Sequence, residues 1–142
     1  MKIYVLGSTT FMKEMVDAKN RLCALGFDGW IHPHYEAFVR GEKKEHLARW
    51  ENGERAALKR ENNYFHEHYK HILESDAVLI VNCEKHNIAN YIGGNVLMEM
   101  GQAYVNHKKI FFLNGMPSGL SYMDEIEAMD QILLNGDLSK IG

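Results

Sequence analysis

Between Asn90 and Ala103 the chain reads Asn-Tyr-Ile-Gly-Gly-Asn-Val-Leu-Met-Glu-Met-Gly-Gln-Ala, and its one carboxylate, Glu99, stands among Val96, Leu97, Met98 and Met100. Paired glycines at Gly93 and Gly94, ahead of an apolar helix, let backbone come close to a ligand. The free N–H groups and positive dipole end of the helix that follows suit an anion. A carboxyl group in such apolar company is partly buried, which raises its pKa, whereas the helix dipole favours the ionised, nucleophilic form. Glu99 is therefore a candidate nucleophile. The alternative is a capping box, which needs Glu at the third helical position; with Asn95 as the cap, that position is Met98. On the residues alone both a catalytic and a structural carboxylate stay open.

A second candidate segment is Gly7-Ser8-Thr9-Thr10. Its N–H groups and hydroxyls suit an anionic group such as a phosphate, and they equally suit an ordinary helix N-cap. Asn95 can cap its helix, contact a ligand, or do both. The run His66-Glu67-His68-Tyr69-Lys70-His71 raises the question of zinc. On a helix His68 and His71 share a face, but a zinc motif puts His at i and i+4 with a third ligand, so no metal is expected. His32-Pro33-His34 reads as a turn. Cys23 and Cys83 are the only cysteines, far apart and in apolar surroundings, and read as reduced core residues.

These candidates need elements to position them. Lys2–Leu6 is a short apolar run ending at Gly7, which predicts a buried strand running into a loop. Phe11, Met15, Ala18, Leu22 and Leu25 recur at helical spacing, and Gly26 stops that helix. A short strand is expected around Trp30 and Ile31, closed by Pro33. The polar stretch 41–63 is mixed in charge and free of proline, so it reads as a solvated helix face. One helix is predicted over Arg55–Glu74, with Leu58, Phe65, Tyr69 and Ile72 inward. Ala77–Val81 is a continuous apolar run, expected for a strand covered on both faces. A helix follows from Gly93 through Val105, then a strand at Ile110–Leu113, a helix at Tyr122–Met129 and a fifth strand at Ile132–Leu134. Asn135-Gly136-Asp137 reads as a turn.

Strands alternating with helices predict a single α/β domain over 1–142: a flavodoxin-like, Rossmann-like doubly wound parallel sheet of about five strands with helices on both faces. Ligands in such folds sit at the carboxyl ends of the strands. That selects three loops: Gly7–Phe11, Asn82–Asn95 and Asn114–Ser118. The 142 residues, 46% hydrophobic and 25% charged, suffice for one core. A net charge of -3 argues against a partner that is polymeric nucleic acid or an anionic membrane. No apolar stretch is long enough for a signal peptide or a membrane span, so the expectation is a soluble, cytoplasmic protein.

The order of Gly7-Ser8 after the first strand, Glu74-Ser75-Asp76-Ala77-Val78-Leu79-Ile80-Val81, and Gly93-Gly94-Asn95 followed after three residues by Glu99-Met100-Gly101-Gln102-Ala103 resembles the nucleoside 2-deoxyribosyltransferase superfamily. That superfamily includes 2′-deoxynucleoside 5′-monophosphate N-glycosidases. The resemblance spans nearly the whole chain and is most specific at the Glu99 helix. It implies Glu99 as the nucleophile at a sugar C1′ and Tyr4 as the tyrosine that positions it. It also implies a base-covering region around Trp50, Tyr64 and Phe65, and a homo-oligomer in which residues near Asn114–Pro117 reach a neighbouring site. Two positions depart from the family pattern: Gly93 stands where the transferases carry an Asp, and His68 where they carry another acid. His68 thereby becomes a candidate donor to the leaving base.

The function expected is thus an N-glycosyl bond enzyme for nucleosides or their 5′-monophosphates, by transfer or hydrolysis, with no cofactor. Its binding residues are expected at Gly7, Ser8, Thr9, Gly93, Gly94, Asn95 and His68. The competing class is a non-catalytic nucleotide-binding or sensor module on the same fold.

Overall fold

A computed structural model describes all 142 residues. Five parallel strands, β1 (Lys2–Gly7), β2 (Asp28–Trp30), β3 (Ala77–Val81), β4 (Lys109–Phe112) and β5 (Ile132–Leu133), form one sheet in the order β2-β1-β3-β4-β5. This is the flavodoxin-like order, whose direction of progress reverses between β1 and β3. Residue alternation along β1 assigns the two faces. Ile3 and Val5 pack with Met15, Ala18 and Leu22 of α1 (Met12–Ala24), together with Leu138 and Ile141 from the C-terminus. Tyr4 and Leu6 pack on the opposite face with Ile72 of α5 (Tyr64–Glu74) and with Val96, Met100 and Ala103 of α6 (Gly94–Val105). Every residue of β3 is buried, as its continuous apolar run requires. Gly7 is needed for a close approach: a Cβ there would lie 3.0 Å from both Met15 Sδ and the Val81 carbonyl oxygen.

The polar stretch 41–63 forms two short helices, largely solvated as expected, and a third short helix precedes it. In chain order the three are α2 (Pro33–Val39), α3 (Lys44–Glu51) and α4 (Arg55–Glu61), and together they make a cap that buries little: Ala37, no residue, and Leu58, respectively. The cap is ordered largely by polar contacts. Arg49 of α3 grips Glu61 of α4 with two bonds of 2.9 Å, and its Nε donates to Glu54 at 3.1 Å. The Tyr64 hydroxyl lies 2.6 Å from His34 Nδ1 and 3.0 Å from His46 Nε2, joining α5 to α2 and α3.

Several sequence expectations are corrected here. The helix expected over Arg55–Glu74 breaks at Asn62 and Asn63, the latter with φ of 56°, a left-handed conformation that asparagine adopts more readily than most residues. The break rotates the second half, so Tyr64, His68 and Ile72 face inward while Phe65 and Tyr69 are exposed. His32-Pro33-His34 starts α2: His32 Nδ1 accepts from the His34 N–H at 3.1 Å, and Pro33 sits in the first turn. Strand β2 ends at Trp30, and Cys23 is exposed rather than in the core. The turn at Asn135-Gly136 is present, both residues having positive φ. The last helix, α7, is confined to Met123–Glu127. No helix is long and apolar enough to cross a membrane.

Candidate functional site

The reversal of strand order opens a crevice at the carboxyl ends of β1 and β3, and there lies a cavity of about 470 Å³. That is within the range that holds a nucleotide-sized ligand. Its scaffold side comprises Gly7, Ser8, Thr9 and Thr10 after β1, Lys85, His86 and Tyr91 after β3, and Gly93, Gly94, Asn95, Val96 and Glu99 at the start of α6. Tyr35, Trp50, Arg55 and Lys59 from the cap, with Tyr64, Phe65 and His68 of α5, form the facing wall.

Glu99 is the sole carboxylate among these lining residues. Burial pushes its carboxyl up to about 8, with Lys59 pulling the other way. Helix α6 begins at Gly94 with Gly93 as its cap, so Glu99 is the sixth helical residue. Asn95 is therefore inside the first turn and not the cap, and the capping-box explanation of Glu99 fails by three positions. No side chain caps α6, which leaves its first N–H groups unsatisfied beside the cavity. Gly93 has an ordinary extended backbone, and a Cβ on Gly94 would meet nothing within 4 Å. What these glycines keep open is ligand space, not an unusual turn.

The loop after β3 is held by a buried amide. Asn82 Nδ2 donates to the Gly115 carbonyl at 2.8 Å, Asn82 Oδ1 accepts from the Asn114 N–H at 3.0 Å, and Asn114 Nδ2 donates back to the Asn82 carbonyl at 3.0 Å. The Asn114–Ser118 loop thus braces the site without lining it. Further along, Lys85 and Ile88 exchange backbone hydrogen bonds across a tight turn in which His86 and Asn87 have positive φ. This turn carries Lys85 Nζ to within 3.0 Å of Ser8 Oγ, the acceptor that also receives the Thr10 N–H at 3.3 Å. Ser8 is thereby both a cap of the turn at Thr9–Phe11 and a cavity residue.

Tyr4 is placed differently from the expectation. It is fully buried behind the wall, its hydroxyl 2.7 Å from His68 Nδ1, and it makes no hydrogen bond to Glu99. Burial and the Glu99 charge both hold the phenol in its protonated form. His68 is pushed down to about 4, first by burial and then by the charge of His71, so at neutral pH it is an uncharged ring. Where Tyr4 donates to Nδ1 the His68 proton resides on Nε2, and where Tyr4 accepts it resides on Nδ1. His68 thus lines the cavity as a neutral ring, not as an acidic imidazolium.

The structure brings Gly7, Ser8, Thr9, Gly93, Gly94, Asn95, His68 and Glu99 to one cavity and sets Tyr4 one layer behind it. Reading the sequence missed Arg55, Lys59, Lys85 and Tyr35. Lysines and arginines in a mixed-charge segment carry no local mark of the side they face, and Lys85 is placed by a turn at His86 and Asn87 whose one sequence signal is an asparagine, a residue that tolerates positive φ. No family model, curated protein or solved structure matches the chain.

Proposed function

We propose that the chain is an N-glycosyl bond enzyme acting on nucleosides or their 5′-monophosphates, with Glu99 as nucleophile. The observation that carries this reading is the placement of one unpaired carboxylate in a nucleotide-sized cavity at the strand-order switch point. A Glu99 oxygen bonds to C1′ as the C1′–N bond breaks, and the base leaves with the bonding pair and takes up a proton. Water, or a second base, then bonds to C1′ while the ester C–O bond breaks, which returns the carboxylate and releases a proton. With its proton on Nε2, the neutral His68 ring supplies a hydrogen bond to the departing base.

Lys85, Ser8 and the uncapped start of α6 suit a 5′-phosphate, and three cations against one carboxylate favour an anionic ligand over a neutral one. A second copy of the chain is proposed as partner, since Phe65, Tyr69 and Leu73 form an exposed apolar stripe along α5 and Met98 is exposed on the neighbouring α6.

The test is to incubate the protein with deoxynucleosides and their 5′-monophosphates, with and without an acceptor base, and to measure free and exchanged base by chromatography. Release without acceptor identifies hydrolysis, and exchange only with acceptor identifies transfer. Ligand binding without turnover across the whole panel overturns the enzyme and leaves the binding module.

A further inference from the structure

The cavity's three cations are not equivalent. Lys85 is committed to Ser8 at 3.0 Å, and Arg55 is exposed. Lys59 is half-buried on α4, and its ammonium lies 5.7 Å from the Trp50 ring centre and 5.9 Å from that of Phe65. Two aromatic faces at that range attract a cation and restrict where it points. Both rings line the cavity. Neither Lys59 nor Glu99 has an ion-pair partner within 4 Å, and the two face each other across the cavity at more than that distance, without direct contact.

Lys85, Arg55 and His86 share the cavity with Glu99, and the buried groups packed around it add no positive charge at neutral pH. Tyr4 from β1 and Tyr35 from α2 are kept as neutral phenols, chiefly by burial, and His68 from α5 is a neutral ring above about pH 4. The influence between Lys59 and Glu99 is mutual: each opposes the effect of burial on the other's charge.

We propose that Lys59 is the counter-ion of the Glu99 carboxylate, a positioning residue that α4 delivers to the cavity and that Trp50 and Phe65 hold there. The nucleophile then stands on the scaffold while its charge partner stands on the cap. Seating the cap completes the charged pair, and lifting the cap removes the cation from the carboxylate. The kinetic consequence rests on the reading of Glu99 as nucleophile; the pairing itself does not.

The experiment is a titration of the Glu99 carboxyl carbon by 13C NMR in the full-length, ligand-free protein. The signal is assigned by its loss in Glu99→Gln. Replacing the ammonium by an uncharged chain of similar length, Lys59→Met, should raise the titration midpoint by about one pH unit, a roughly tenfold loss of carboxylate at a given pH. Lys59→Arg, which keeps the charge, should restore the midpoint. A midpoint that stays in place in Lys59→Met overturns the proposal, as does an equal rise in Lys59→Arg. Should Lys59→Met not give a folded circular-dichroism spectrum, Lys59→Gln answers the same question. Because the readout involves no substrate, its failure is distinct from an absence of glycosidic turnover. In an active enzyme the acid limb of kcat/KM moves upward in Lys59→Met by the same amount as the carboxyl midpoint.

Discussion

The two sides of the cavity are built by opposite means. On the scaffold side, β1, β3 and α6 lie in continuous apolar packing, with Ile3, Leu79, Val81 and Met100 at most 1% exposed. On the cap side, α3 buries nothing and α4 buries Leu58 alone, so order comes from the Arg49 grip on Glu54 and Glu61 and from the Tyr64 hydroxyl between two histidines. Exposed ion pairs and polar bridges contribute far less than buried apolar surface. The scaffold therefore fixes the position of Glu99, and the cap sets its surroundings at a low cost of opening.

The largest effect expected is at the scaffold's own carboxylate. Glu99→Gln should lower turnover by roughly 10,000-fold or more if Glu99 is the nucleophile. The same change should leave the fold more stable, not less. Burial raises the folded-state pKa of Glu99 above its unfolded value, so folding takes up a proton, and this group opposes folding increasingly as pH rises from about 4.5 to 8. Removing it should add on the order of 2–3 kcal/mol at pH 7, read from urea denaturation of both proteins. A loss of stability in Glu99→Gln would make the carboxylate a structural group after all.

The difference in packing can be broken directly. Leu79→Ala, in the centre of β3, should cost about 3 kcal/mol, because it removes fully buried methyl groups and leaves a cavity. Leu47→Ala, on the half-buried face of α3, should cost less than about 1 kcal/mol. Equal losses in the two denaturation curves would show the cap to be as much a part of the core as the sheet.

The same contrast explains what could be read from the sequence. The continuous run at Ala77–Val81 and the helical spacing of Met15, Ala18 and Leu22 follow from burial, so the strands and α1 were legible. Glu99 was legible because a charge among apolar residues is conspicuous. The cap was not, since its helices are short, polar and joined by residues with positive φ at Lys43, Gly53 and Asn63. A break at Asn63 turned Phe65 and Tyr69 outward and His68 inward, which no count of apolar residues along one long helix could anticipate. Lys59 and Lys85 became site residues only once the backbone was placed.

A last prediction concerns the joint where scaffold passes into cap. His32 follows β2, is 5% exposed, and caps α2 through a ring nitrogen that must be unprotonated to accept the His34 N–H. Its ring is packed among those of His34, Tyr35, Tyr64, His68 and His71. Burial first, then the charges of His68, His34 and His71, push it down to about 3. A histidine held below its unfolded value contributes stability that is fully present above about pH 6.5 and is lost as pH falls toward the folded value. Acid should therefore release the cap before the sheet. Amide hydrogen exchange, corrected for its intrinsic pH dependence, should accelerate across residues 33–61 between pH 6.5 and 4 while β1 and β3 stay protected. His32→Asn keeps a capping acceptor and removes the titration. It should recover about 1–2 kcal/mol of the stability lost at pH 5. An acid profile unchanged in His32→Asn would shift the sensitivity to the remaining histidines of the cluster, and simultaneous exchange of cap and sheet would erase the distinction between them.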